Sequence, residues 1–186
     1  MQKVTRDSIL DYVTYEEQRD RIRAQVLDTK ARRRVHVGEF LTFLFENTET
    51  MRYQIQEMVR TERLVKEEDI QHELDTYNEL LGAPGELGCT LLIEIEDPGV
   101  RLENLTRWRG LVEHLYVRLD DGSRVYASFD PRQVGEERLS SVHYLKFGVH
   151  GRAPLAVGSD FEGLSVEAPL SDEQREALDE DLKSDQ

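Results

Sequence analysis

Leu115-Tyr116-Val117-Arg118-Leu119, then Asp120-Asp121-Gly122-Ser123, then Arg124-Val125-Tyr126-Ala127-Ser128-Phe129 is the stretch that decides the fold class. Two alternating runs rich in aromatic and β-branched residues flank an Asp-Gly pair. That pair favours the positive-φ turn that joins adjacent antiparallel strands. The reading is a hairpin with strands at about 115–119 and 124–129. Cys89 to Ile95 reads as a strand upstream of it, closed by Asp97-Pro98-Gly99, and Val142 to Val149 as a strand downstream. Leu102, Leu105, Trp108 and Val112 outline a short helix between the first strand and the hairpin. Nearer the N-terminus the period is also two, and strands at about 33–38 and 40–46 meet at a turn at Gly38-Glu39.

Helices fill the intervals. Thr14 with Glu17 three residues later fits a capping box, opening a helix to about Ala31 with Tyr15, Ile22 and Val26 inward. Asn47 and Thr48 are N-cap residue types ahead of Ile55, Met58 and Val59. Ile70, Leu74, Tyr77 and Leu81 form a second stripe, stopped by Gly82, Pro84 and Gly85, with the break near Lys66 open. After Gly151 the glycines and Pro154 predict loop, and Ser171 with Gln174 caps a final helix at 172–182. Strands joined by tight turns predict an α+β protein, with a mainly antiparallel sheet of about five or six strands and helices packed on it. Residues 1–150 are expected to form one domain, and 151–186 an acidic C-terminal extension with a short helix.

The 186 residues carry 24 Lys and Arg against 38 Asp and Glu, a net charge of −14. Such a balance excludes a strongly basic nucleic-acid footprint. No apolar run approaches the roughly 20 residues of a membrane span, and the first residues lack a secretion-signal pattern, so a cytoplasmic location is expected. The charge is uneven. Residues 160–186 hold ten acids against Arg175 and Lys183, whereas the first 34 residues hold nine bases against six acids and end in Arg32-Arg33-Arg34. Either the tail only solvates the chain and the arginines only close a helix, or one covers the other. Strand alternation prevents the three arginines from all facing one way, so at least one is expected to pair with a carboxylate, first Glu46 or Glu57. The final helix has few apolar residues and is expected to be weakly attached.

Three stretches resemble a bacterial family of proteins of unknown function. They are Arg32-Arg33-Arg34-Val35 with Gly38 and Leu44-Phe45-Glu46-Asn47; Tyr53 to Arg60 with Glu62, Glu73-Leu74 and Tyr77-Asn78; and Ser141 to Phe147. Where the family favours Ala-Val-His-Phe, this chain has Ser141-Val142-His143-Tyr144. The resemblance covers about residues 1–150, and the tail after Gly151 has no evident counterpart. It transfers no activity. It implies company, because such proteins look associated with rubrerythrin-like di-iron proteins and iron–sulfur oxidoreductases, so a partner of that kind is the expectation.

Motifs for chemistry are sparse. One cysteine excludes a multi-cysteine metal site, and the repeated Glu-x-x-His pairs of di-iron bundles do not occur. His72 follows Glu68 and Asp69 at helical spacing, but Ile70 and Leu74 claim the buried face there. Cys89 begins an apolar strand, where an inert thiol is the default. No Gly-x-Ser-x-Gly elbow or phosphate-binding glycine loop is present. No metal or cofactor is therefore expected. Arg33, Glu46, Asn47, Gln54, Glu57 and His143 make the candidate ligand-binding set, since polar groups at the rim of a buried helix face can line a pocket. For Glu46 and Asn47 the competing role is helix capping with an arginine partner; for His143 it is a hydrogen-bonded core residue. Two functions stay open. One is an accessory protein serving a redox or metal-handling partner; the other is a small-molecule-binding protein or enzyme with that polar pocket.

Overall fold

In a computed structural model, which describes residues 1–135 and 137–184, the chain is α+β. Asp185, counted above in the acidic tail, lies outside the described residues. The helices are α1 (Tyr12–Ala31), α2 (Thr48–Thr61), α3 (Glu67–Asn78), α4 (Pro98–Arg107) and α5 (Asp172–Lys183). The strands are β1 (Arg34–Val37), β2 (Leu41–Glu46), β3 (Leu87–Ile93), β4 (Leu115–Arg118), β5 (Arg124–Tyr126), β6 (Val142–Phe147), β7 (Ala156–Phe161) and β8 (Leu164–Pro169). They form two four-stranded antiparallel sheets among the described residues, ordered β1-β2-β3-β6 and β5-β4-β7-β8.

The predicted hairpin is β4–β5, paired Tyr116 to Tyr126 and Arg118 to Arg124, with Gly122 at φ 82° in its turn. Helix α1 begins three residues earlier than the capping box at Thr14 suggests. Asp11 Oδ1 accepts the amides of Val13 and Thr14, and the Thr14 hydroxyl donates to Asp11 Oδ2, so Asp11 is the cap. Thr14 fits the sequence pattern but supports the earlier cap. The open break near Lys66 is real: Arg63 takes φ 51° beyond the end of α2, and α3 starts afresh.

Alternation sets the two faces of the first sheet. Phe43, Phe45, Leu91, Leu145 and Phe147 point one way and join Leu115, Val117, Val157 and Leu164 of the second sheet in one hydrophobic cluster. Arg34, Leu44, Glu46, Thr90 and Tyr144 point the other way. A smaller cluster of Met51, Ile55, Val59, Ile70 and Leu74 joins α2 to α3, with Val4 and Ile9 of the N-terminal segment packed into it.

The expectations for the C-terminal part need correction. Residues 156–169, predicted as loop, are β7 and β8, and β7 is an inner strand hydrogen-bonded on both sides. Gly158, taken as a loop marker, is needed within the strand: a Cβ there would meet Val166 O at 2.4 Å. Gly163 does occupy a turn, at φ 85°, but it is the tight one between β7 and β8. Nor is α5 loosely attached. Ala177, Leu178 and Leu182 are buried, and the large cluster takes Leu178 and Leu182 alongside residues from the N-terminal half. The Ser171–Gln174 capping box forms as predicted, and Gln174 Nε2 also donates to Arg34 O at 2.7 Å.

Candidate functional site

The six candidate residues fall into separate places. Arg33, Glu46 and Asn47 are joined in one hydrogen-bonded chain, but only through Asp181 and Thr50, which the sequence reading missed, as it missed Thr90 at the chain's end. Arg33 leaves the end of α1 and is buried. Its Nε and Nη2 donate to the two carboxylate oxygens of Asp181 on α5, at 2.7 and 2.9 Å, and its Nη1 donates to Thr29 O. Asn47 Nδ2 donates to the same Asp181 at 3.1 Å. On its other side Asn47 caps α2, its Oδ1 accepting the Thr50 amide while its own amide donates to the Thr50 hydroxyl. Thr50 Oγ1 in turn donates to Glu46 Oε2 at 2.5 Å, and Thr90 Oγ1 on β3 donates to Glu46 Oε1 at 2.6 Å.

Thus Arg33 does find a carboxylate, but it is Asp181 rather than Glu46 or Glu57. The cause is topological: α5 returns along β1 and brings its acid to the arginine. Of the neighbouring arginines, Arg32 approaches Glu180 at 4.0 Å. Tail and basic run therefore cover each other, through Arg33 with Asp181 and Arg32 with Glu180. Asp181 carried a signal, because it falls on the helical stripe of Ala177, Leu178 and Leu182, where an acid must be paired or costly. Thr50 and Thr90 carried little, since each reads as an ordinary helix-start or strand residue.

Glu46 is 4% exposed. Burial pushes its carboxyl upward, while the two threonine hydroxyls and the charges of Lys30 and Arg34 act the other way. Behind it, burial also pushes the Cys89 thiol up, with Glu46 adding to the effect, which leaves a neutral and unreactive sulfur.

Glu57 belongs to a second cluster between α1 and α2. It accepts from the Tyr15 hydroxyl at 2.6 Å, from Arg19 at 2.8 and 3.1 Å, and from Arg60 at 3.3 Å. Burial alone would raise its carboxyl, but the bonds from Arg19 and Tyr15 prevail and hold it below the usual carboxylate range. Gln54 is half-buried and hydrogen-bonds to none of the other five. His143 is 1% exposed and pairs across to Leu91, on the sheet face opposite Glu46 and α2. Its Nε2 lies 2.9 Å from Ser140 O; a carbonyl only accepts, so Nε2 carries the proton. Burial lowers its tendency to charge, against the pull of that carbonyl. His143 therefore takes the hydrogen-bonded core role and does not meet Glu57.

A groove of about 660 Å³ lies elsewhere, beside β6. Tyr144 and Lys146 of β6, Lys3, Leu80 beyond α3, and Ser128-Phe129-Asp130 line it, and none of the six candidates does. No group of three or more His, Cys, Asp or Glu side chains able to hold a metal ion occurs among the described residues. Among those residues, too, no helix is long and apolar enough to cross a membrane.

Two antiparallel sheets that share one hydrophobic cluster and are flanked by helices, with a polar network at the ends of α1 and α5 and a groove beside β6, define an α+β protein. The chain belongs to the family described as "Protein of unknown function (DUF3501)", whose pattern matches residues 3–182. The match runs through β7, β8 and most of α5, so the tail after Gly151 does have a family counterpart. The chain is also similar to a solved structure described as a novel protein of unknown function from Burkholderia pseudomallei. The two are 33% identical, with 97% of this chain and 100% of that one covered and a TM-score of 0.89. No curated protein matches the chain.

Proposed function

We propose that the chain is a non-catalytic accessory protein that acts by binding a protein partner. The observation that carries this reading is the internal commitment of its polar groups. Arg33, Asp181, Asn47, Thr50, Thr90 and Glu46 direct donors and acceptors at one another, and Glu57 is surrounded by Tyr15, Arg19 and Arg60. A catalytic or ligand-binding group must offer free hydrogen-bonding capacity to its substrate. These groups instead fix the ends of α1 and α5 and the start of α2 against the first sheet. The earlier resemblance supplies the class of partner, a rubrerythrin-like or iron–sulfur oxidoreductase protein involved in redox or metal handling.

The test is isothermal titration of the purified chain with purified proteins of those two classes from the same genome. Saturable binding to one of them at micromolar affinity or better is expected. No heat with either class, or turnover of a small molecule that an Arg33 or Glu57 variant abolishes while still folded, overturns the reading.

A further inference from the structure

We infer that the groove beside β6 is the docking site, and that it takes a carboxylate-bearing, apolar peptide segment of the protein partner. The inference deepens the accessory reading by naming the surface and the chemistry it recognises.

Three walls of the groove are pinned before any ligand arrives. The N-terminal segment is tied down by Asn78, whose Oδ1 accepts the Val4 amide at 2.8 Å and whose Nδ2 donates to Val4 O at 2.9 Å. The loop after α3 lies against β3 so closely that a Cβ on Gly88 would meet Leu80 O at 2.2 Å. The third wall, around Ser128, is clamped to β6 by reciprocal 2.8 Å bonds between the backbones of Ser128 and Lys146. A concavity of about 660 Å³ with fixed walls falls in the range of pre-formed binding sites.

Its chemistry is two-sided. Leu80, Phe129 and the Tyr144 ring offer apolar surface, while Lys3 and Lys146 bring two ammonium groups. Among the described residues neither lysine has a carboxylate within 4.0 Å. Of the two acids that line the groove, Asp130 is held by Arg132 at 2.6 Å, which leaves the exposed Glu79 as the one acid there against the two lysines. In a chain of net charge −14, two uncompensated cations over an apolar surface select an anionic group on an apolar body. The lining brings residues 144–146 of β6 together with the N-terminal segment, the loop after α3 and Ser128 to Asp130, room enough for a few side chains of a peptide.

The test uses fluorescence anisotropy on the full chain with three probes: a capped hexapeptide alternating Leu and Asp, the same peptide with Lys for Asp, and octanoate as competitor. The Leu-Asp peptide is expected to bind at least about tenfold more tightly than the Leu-Lys peptide. Lys3→Glu with Lys146→Glu should reverse that preference without shifting the melting temperature, since both side chains lack partners. Equal binding of the two peptides, or an unchanged preference in the double variant, overturns the inference. So does the absence of binding by either peptide, which leaves the accessory reading to its own titration with partner proteins. Binding of octanoate, read directly by isothermal titration, without binding of either peptide would mark a small-molecule site and count against both.

Discussion

Asp181 accepts hydrogen bonds from Arg33 and Asn47, which lie 148 and 134 residues away in sequence, with Arg33 6% and Asp181 9% exposed at their side chains. Removing one member of such a pair strands a buried charge, so Asp181→Ala should cost about 3–5 kcal/mol in chemical denaturation. An exposed pair such as Arg124 with Asp160 should cost about 1 kcal/mol or less by the same measurement. Glu46 and Glu57 should titrate with opposite signs. The folded state raises the Glu46 carboxyl, so it keeps a proton that the unfolded chain has lost, and stability falls as pH rises above the ordinary carboxylate range. Glu46→Gln should therefore gain melting temperature relative to the parent as pH rises from about 5 to about 8. Glu57 is lowered by Arg19 and Tyr15 despite burial, so its contribution is present at neutral pH and lost as pH falls through the carboxylate range. Arg19→Ala should flatten that acid limb; an unchanged limb would show that Glu57 is not its source. At this scale the sequence placed Arg33, Glu46 and Asn47 in one candidate set with Gln54, Glu57 and His143 and paired the arginine with the wrong acid, because the residue that joins Arg33 to Asn47 comes from the other end of the chain.

Strand β7 shows what sequence patterning reveals about an element and what it hides. The β4–β5 hairpin was legible because its turn is local and Asp121-Gly122 announces it. In β7 the same residue type misleads, since Gly158 is required by the close approach of β8 and not by a turn. Ser159 and Asp160 dilute the apolar signal further, although Ser159 is buried. Gly158→Ala should thus destabilise by about 1–3 kcal/mol through backbone displacement. Gly148→Ala, where a Cβ would meet nothing within 4 Å, should stay within about 0.5 kcal/mol. Equal effects in thermal unfolding would refute the packing argument. Helix α1 offers the reverse case. Of the predicted inward set Tyr15, Ile22 and Val26, only Tyr15 and Val26 are buried along its 20 residues and Ile22 is half-buried, and the cap was misplaced by one turn.

Across the whole molecule, the first and last thirds share a core and a polar network. Deleting 171–186 would remove Ala177, Leu178 and Leu182 from the interior and leave Arg33 without its carboxylate. Loss of cooperative unfolding, read by circular dichroism, is the expected result. A truncated chain that melts like the parent would restore the weakly attached tail expected from charge arithmetic. The fold class was legible because period-two runs and tight turns are local; the partition into two sheets was not, because it depends on long-range pairing of β4 with β7. For function, the proposal separates two roles: the buried polar network builds the fold, and the groove beside β6 meets the partner. Replacing Arg33 and Asp181 together by Met and Leu removes the charges without stranding either, and buried pairs often tolerate this exchange. The most direct measurement is sedimentation velocity of the chain mixed with purified rubrerythrin-like and iron–sulfur oxidoreductase proteins, comparing the parent with the R33M/D181L and K3E/K146E variants, each verified as folded. The account predicts a faster-sedimenting complex with one of the two proteins, kept by R33M/D181L and lost by K3E/K146E. No complex with either protein, or a complex lost by R33M/D181L and kept by K3E/K146E, would contradict it.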